Sequence, residues 1–241
     1  ISRSGTAFDT PVRDAYGYNA RSEVTSARRA LASNPNQEVR GFSYDYAYDP
    51  IGNRITSKEY DHEDNARVSS YTANALNQYT QRTVPGYAGV RGSATNTATV
   101  TVNGNAAWRL GEYFYGGDAA DNASSAIMKE LETLAVINPP ETNMPDIVQA
   151  ETGRIFVPET PEAFTHDDDG NLTQDGRFIY TWDGENRLVN VETRSDLPAS
   201  VPRVKVTYAY DHQSRRIGKV VSNLEGETWT VAETRSFLYD G

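Results

Sequence analysis

The densest group of hard oxygen donors in this chain is Asp167-Asp168-Asp169-Gly170-Asn171, and clustered carboxylates can hold a cation such as calcium. An EF-hand loop requires a glycine at its sixth position and a bidentate glutamate at its twelfth. With Gly170 as the sixth, the first position falls on Thr165 and the twelfth on Gly176, so the spacing fails. His62, His166 and His212 each neighbour an aspartate, which suggests a proton relay. Adjacent residues of a strand face opposite ways, however, so adjacency does not create a His–Asp bond. Neither a Gly-x-Ser-x-Gly elbow nor a His-Glu-x-x-His pair is present. Cysteine is absent, which excludes disulfides, thiolate metal sites and a cysteine nucleophile. Trp108 and Tyr113, with Phe114 and Tyr115 beside them, could form a platform for stacking glycans. Single aromatics in strands more often pack, however, which would put Tyr113 and Tyr115 in the core of their own domain and turn their neighbours toward the repeat sheet. These residues lead to the expectation of a non-catalytic chain with no cofactor and no metal.

The bulk properties point the same way. A formal net charge of −10 across 241 residues, with no Lys/Arg cluster, argues against a nucleic-acid partner or an anionic membrane surface. No stretch of 18 apolar residues is present, so insertion of a membrane helix is not expected. Arg28-Arg29 reads as a solvated strand edge. The first residues, Ile1-Ser2-Arg3-Ser4-Gly5-Thr6, carry no initiator methionine and no signal-peptide pattern, and are expected to be internal to a longer chain. Fifteen tyrosines, against seven phenylalanines and three tryptophans, suit sheets with one face only partly dry.

A repeat supplies the elements that would position any site. Its unit is an aromatic, then Asp, then turn residues, then a Gly/Asn/Arg step and an aliphatic or β-branched residue. The clearest copies are Tyr48-Asp49-Pro50-Ile51-Gly52-Asn53-Arg54-Ile55 and Trp182-Asp183-Gly184-Glu185-Asn186-Arg187-Leu188. His166-Asp167 through Gly170-Asn171-Leu172 and Tyr210-Asp211 through Arg215-Arg216-Ile217 follow the same plan. Weaker copies start at Tyr18 and Asn74, and Tyr239-Asp240-Gly241 begins another. Each copy reads as a β-hairpin in which the aspartate bonds to backbone N–H groups ahead of it, while Gly52 and Gly170 can supply a positive φ.

Between Thr83 and Pro161 the repeat stops, and Pro139, Pro140, Pro145, Pro158 and Pro161 punctuate the end of the interval. Residues 84–163 therefore read as an inserted β-sandwich-like domain between repeat blocks 1–83 and 164–241. Within it, Ser124 to Ile137 is locally ambiguous. Its helix formers, with Ile127, Leu131, Leu134 and Ala135 apolar and Ser125 as a cap, fit a helix as well as a strand.

The recurring Tyr-Asp and Gly-Asn-Arg units resemble the YD, or Rhs, repeats of bacterial Rhs proteins, toxin-complex shells and animal teneurins. The resemblance covers residues 16–82 and 164–241 and is looser over the interval, where it favours a strand near Ile127 to Val136. It implies an all-β fold of stacked hairpins that forms a curved or spiralling sheet. It further implies a structural role in a secreted or cell-surface protein, as wall or scaffold around a C-terminal effector. The partners it implies are neighbouring repeats and the effector; independently, open strand edges leave a filament of further copies as an alternative, and the aromatics of the interval leave a surface glycan. The Asp-Pro and Gly-rich self-cleaving region of such shells is not matched, since Asp49-Pro50 lies inside an ordinary repeat turn.

Overall fold

A computed structural model describes residues 10–141 and 144–240, and every regular element among them is a β-strand. Residues 1–9 of the first repeat block and Gly241 of the last repeat copy lie outside the described residues. The chain is all-β and every assigned strand pairing is antiparallel, as the hairpin pattern leads one to expect. Two compact units are formed, one by residues 10–71, Thr83–Asp121 and Met128–Val157, the other by Thr72–Arg82, Asn122–Ile127 and residues 158–240.

In the first unit, β1 (Val12–Tyr18), β2 (Val24–Leu31), β3 (Glu38–Tyr48), β4 (Arg54–Tyr60) and β5 (Ala66–Ala73) form a meander in which each strand pairs with the next. Two further sheets follow. One orders β10 (Trp108–Leu110), β11 (Tyr113–Ala119) and β7 (Tyr87–Ser93), and the other orders β13 (Ile147–Val157), β12 (Ile127–Ile137), β8 (Thr99–Val102) and β9 (Asn105–Ala106). Val39, Val100, Val102, Tyr113, Phe114, Tyr115 and Leu131 make the core.

The ambiguous segment is the strand β12. Leu131 is buried between exposed Glu130 and Glu132, and Thr133 to Val136 pair with Val102 to Thr99. Helix propensity is overridden by cross-strand pairing, because a strand buries Leu131 while keeping both glutamates in water. The Arg28-Arg29 pair is not a solvated edge, since β2 has a neighbour on each side. Arg28 pairs with Asp45 at 2.7 Å, while Arg29 pairs with Asp14 at 2.8 Å and lies 4.5 Å over the Phe42 ring.

In the second unit, β6 (Tyr79–Arg82) pairs with β14 (Glu162–Ala163). A sheet then runs in chain order through β15 (Thr165–His166), β16 (Leu172–Gln174), β17 (Phe178–Trp182), β18 (Leu188–Thr193), β19 (Val204–Tyr210), β20 (Arg216–Glu225) and β21 (Thr228–Ser236). Its strands alternate half-buried and exposed positions, as in Phe178–Trp182, and Val201 and Leu197 are buried beside them. Such alternation is what Tyr- and Thr-rich strands with one partly wet face require.

Candidate functional site

The repeated unit of the sequence is a single turn geometry. Seven turns among the described residues open on Asn19, Asp49, Asp61, Asn74, Asp167, Asp183 and Asp211. In each, the backbone N–H of the opening residue donates to the carbonyl four residues on, and the N–H three residues on donates back to the opening carbonyl. The opening side chain does the rest. Oδ1 of Asp49 accepts from the N–H groups of Ile51 at 3.0 Å and Asn53 at 2.8 Å, and Oδ1 of Asp183 from those of Glu185 at 2.9 Å and Arg187 at 3.1 Å. Asn19, Asp61, Asn74 and Asp211 make the same pair of bonds. A short side chain with its acceptor three bonds from Cα is the one that reaches these donors.

The geometry places the fourth residue of each turn in the left-handed region, from φ 56° at Asn186 to 99° at Gly52. Gly52 and Gly170 supply this conformation as expected, and Ser22, Asp64, Asn77, Asn186 and Ser214 adopt it elsewhere. Short polar side chains tolerate that region better than branched ones. The fifth residue closes the turn by reaching the opening side chain. Asn53 Nδ2 lies 2.9 Å from Asp49 Oδ2, Asn171 Nδ2 3.1 Å from Asp167 Oδ2, and the Nε atoms of Arg187 and Arg215 2.8 Å from Asp183 and Asp211. Of the adjacent arginines 215 and 216, the clamp is therefore Arg215. Arg216 lies 4.2 Å over the Tyr208 ring, and Arg54 likewise lies 4.6 Å over Tyr46.

These bonds hold the carboxylates ionised. The Asn171 side chain pulls the Asp167 carboxyl below the ordinary range, and the Arg187 guanidinium does so for Asp183. For Asp49, Asp61 and Asp211, burial pushes the carboxyl up but is outweighed by hydrogen bonds from the turn, and each also lies below the ordinary range.

Four of the aromatics that precede an aspartate of the repeat tie one hairpin to the one before it, whereas Tyr60 donates instead to Asp45 Oδ2 at 2.7 Å. Tyr48 OH donates to Val24 O at 2.9 Å, Trp182 Nε1 to Leu172 O at 2.8 Å, Tyr210 OH to Leu188 O at 2.9 Å and Tyr239 OH to Arg216 O at 2.8 Å. Each accepting carbonyl belongs to the residue paired across the preceding turn from that turn's own leading residue: Tyr18↔Val24, His166↔Leu172, Trp182↔Leu188 and Tyr210↔Arg216. A register shift falls immediately before that leading residue in every case. The shift frees the carbonyl from the ladder and leaves it open to a side-chain donor.

One full copy escaped the sequence reading, the Asp61 turn led by Tyr60, although Tyr60-Asp61 followed by Asn65 four residues on was the signal for it. Asp168 and Asp169 contribute turn backbone, with their side chains exposed, so the apparent calcium loop is an ordinary member of the row. No group of three or more potential metal ligands occurs among the described residues.

The aromatic platform is not assembled as a sugar site would need. Tyr113 is buried and donates its hydroxyl to Thr10 O at 2.9 Å, leaving no ring face open, while Trp108 is half-buried opposite Tyr115. Within the first unit Tyr115 points toward the meander rather than away from it. A Cβ at Gly41 of β3, where φ is +78°, would lie 2.6 Å from its ring Cγ. Arg67 donates to the Tyr115 hydroxyl and lies 3.6 Å over the Tyr87 ring, and Arg91 joins Glu59 and the carbonyl of Gly41. Burial pushes the Tyr115 hydroxyl above the ordinary range, offset only in part by Arg67.

No family model matches the chain. Three curated proteins are similar to part of it: the tRNA nuclease WapA of Bacillus subtilis strain 168, the tRNA(Glu)-specific nuclease WapA of Bacillus subtilis subsp. natto and the tRNA3(Ser)-specific nuclease WapA of Bacillus spizizenii. Each is 32% identical over 80 residues, a stretch that makes up 33% of this chain and 3% of the nuclease. The chain thus spans a small fraction of the relatives it matches. The relatives are named as nucleases, which overturns the expectation of a non-catalytic chain. Inspection for local nucleophile, base and metal motifs detects only chemistry with a short sequence signature, and that is too narrow a ground for excluding an enzyme.

Proposed function

We propose that this chain is a wall segment of a larger YD-repeat protein, exported or displayed at a bacterial surface, whose whole-chain activity is nuclease action on tRNA. The observation that carries the reading is the uniformity of the turn. One hydrogen-bond pattern recurs from Asn19 to Ser214 while the strand sequences and lengths between copies vary. Uniform joints with variable panels suit a ribbon that must propagate its own curvature, and at Tyr48, Trp182, Tyr210 and Tyr239 the hairpin is also tied to a carbonyl of its predecessor. The partial likeness to three tRNA nucleases supports the toxin-like context.

Electron microscopy of the intact parent protein tests this. The expected image is a hollow particle with a continuous wall, and RNA cleavage by that preparation should act on tRNA. Extended, flexible strings would overturn the wall, whereas a closed particle without tRNA cleavage would keep the wall and overturn the activity.

A further inference from the structure

The two sheets that follow the meander in the first unit both line one cavity, of about 420 Å³. Its lining includes Val90 and Gly92 of β7, Phe114 of β11, alternate residues Thr133, Ala135 and Ile137 of β12, and Ile147 of β13. Voids within packed interiors rarely exceed a water molecule, and this volume lies in the range of small-molecule sites.

Its walls are held open by specific contacts. Gly92 leaves room for Phe114, since a Cβ there would lie 2.6 Å from the ring. The loop carrying Ala94, Thr95 and Ala98 is clamped by Arg109, which donates to Ala98 O at 2.8 Å, Ala94 O at 2.9 Å, Thr95 O at 3.1 Å and Gly111 O at 3.0 Å. Ile147, 62% exposed, adds apolar surface to the lining.

The charges at the rim are unequal. Arg91 is consumed by Glu59 and the carbonyl of Gly41. Glu151 accepts only an amide, from Gln149 Nε2 at 3.1 Å, and no cation lies within ion-pair distance of it among the described residues. An apolar slot with an unneutralised carboxylate at its lip is complementary to an apolar body bearing a cationic head.

We infer that this slot is a binding site for a small amphiphilic amine, its hydrocarbon or aromatic part between Phe114 and Ala135 and its ammonium at Glu151. The inference stands apart from the wall reading, since it rests on the two sheets alone.

The test is fluorescence titration of this chain with dansylcadaverine, an aromatic amine whose emission rises on transfer to an apolar site, alongside neutral dansylamide. Saturable binding of the amine is expected. Ala135→Leu, which fills the slot, should abolish binding of both dyes, and Glu151→Gln should weaken the amine about three-fold, the scale of an exposed ion pair, while leaving dansylamide unchanged. Circular dichroism melts of both variants establish that they remain folded, and Ala98→Val serves as a second filling variant if Ala135→Leu does not. Absence of saturable binding, or binding indifferent to a folded slot-filling variant, would overturn the site. Equal loss of both dyes on Glu151→Gln would overturn the cationic preference. Displacement of the dye by apolar peptides but by no small amine would instead assign the slot to a protein partner and refute the inference.

Discussion

Replacing Gly41 by alanine tests the seating of Tyr115 directly. Two costs add. At φ +78° an L-residue pays about 1 kcal/mol for the left-handed conformation. The new methyl also meets a ring that is 1% exposed and cannot swing into solvent, and overpacking of that kind typically costs about 1–3 kcal/mol. The sum is about 3 kcal/mol, equivalent to a fall of roughly 10 °C in Tm for a unit of this size. The assay is urea denaturation followed by tryptophan fluorescence in a Trp182→Phe, Trp229→Phe background, where Trp108 reports on the first unit alone. The diagnostic is a double-mutant cycle with Tyr115→Ala. With the ring gone, Gly41→Ala should cost only the conformational part, about 1 kcal/mol, giving a coupling of about 2 kcal/mol. A single-variant cost below about 1 kcal/mol, or strict additivity in the cycle, would refute the packing argument.

The turns and their ties give three more expectations. Ser22→Val should destabilise the first unit by about 1–2 kcal/mol through its φ of 63°, while Ser22→Gly should stay within about 0.5 kcal/mol of the parent, as read by thermal melts. Tyr210→Phe removes the donor to Leu188 O and should cost about 1 kcal/mol, with faster hydrogen exchange in β18 as the local readout. The pH dependence follows from Asp49, Asp61, Asp167, Asp183 and Asp211, all held below the ordinary carboxylate range. As pH falls, the unfolded chain takes up these protons first, near its own value of about 4. The stability they provide is therefore complete above that value and drains away as pH drops through the lower folded values. Urea midpoints should fall steeply below about pH 4 and less so in Asp→Asn variants; identical slopes would count against the turn carboxylates.

The all-β architecture and most of the turn row were legible in the sequence because the turn is local. Asp, a residue tolerant of positive φ and a closing Asn or Arg lie within five positions of one another, so their chemistry can be read without knowing the fold. What depends on distant partners was not legible. Tyr60-Asp61 is harder to see because Asp64 replaces the glycine and Ala66 stands where other copies have Arg54 or Leu188, so only the aspartate and Asn65 keep the pattern. Tyr113 looked available for a ligand because nothing local shows that Thr10, about a hundred positions away, accepts its hydroxyl. The orientation of Tyr115 was read the wrong way round for the same reason, since the glycine that receives it lies in another sheet. Propensity over Ser124 to Ile137 left helix and strand open, because it is a weak preference, and the strand that the resemblance favours is settled by a ladder with β8 that only the fold reveals.

The second unit shows why such a row can absorb a long excursion. The fifth residue of one turn reaches the fourth residue of the next: Asn171 Nδ2 meets Asn186 Oδ1 at 2.9 Å, and Arg187 approaches Ser214 Oγ at 3.4 Å. Gln78 stands in the same relation to Gly170, where an added Cβ would lie 3.4 Å from its Nε2, although some ninety positions separate the two. The chain leaves this row at Arg82 and returns at Glu162, which pair in the ladder and as ions, and Glu162 also accepts the Gly176 N–H at 3.0 Å. Once such a neck is closed, lengthening the excursion costs only slowly growing loop entropy, about 0.6 kcal/mol per doubling. Neighbour relations in the row are carried by turn residues and not by chain proximity. Glu162→Ala should therefore loosen the neck, raising hydrogen exchange at Gly176 and along β6 and β14, while the turns at Asp183 and Asp211 keep their protection. Uniform loss of protection across the second unit would mean that the row depends on the neck after all.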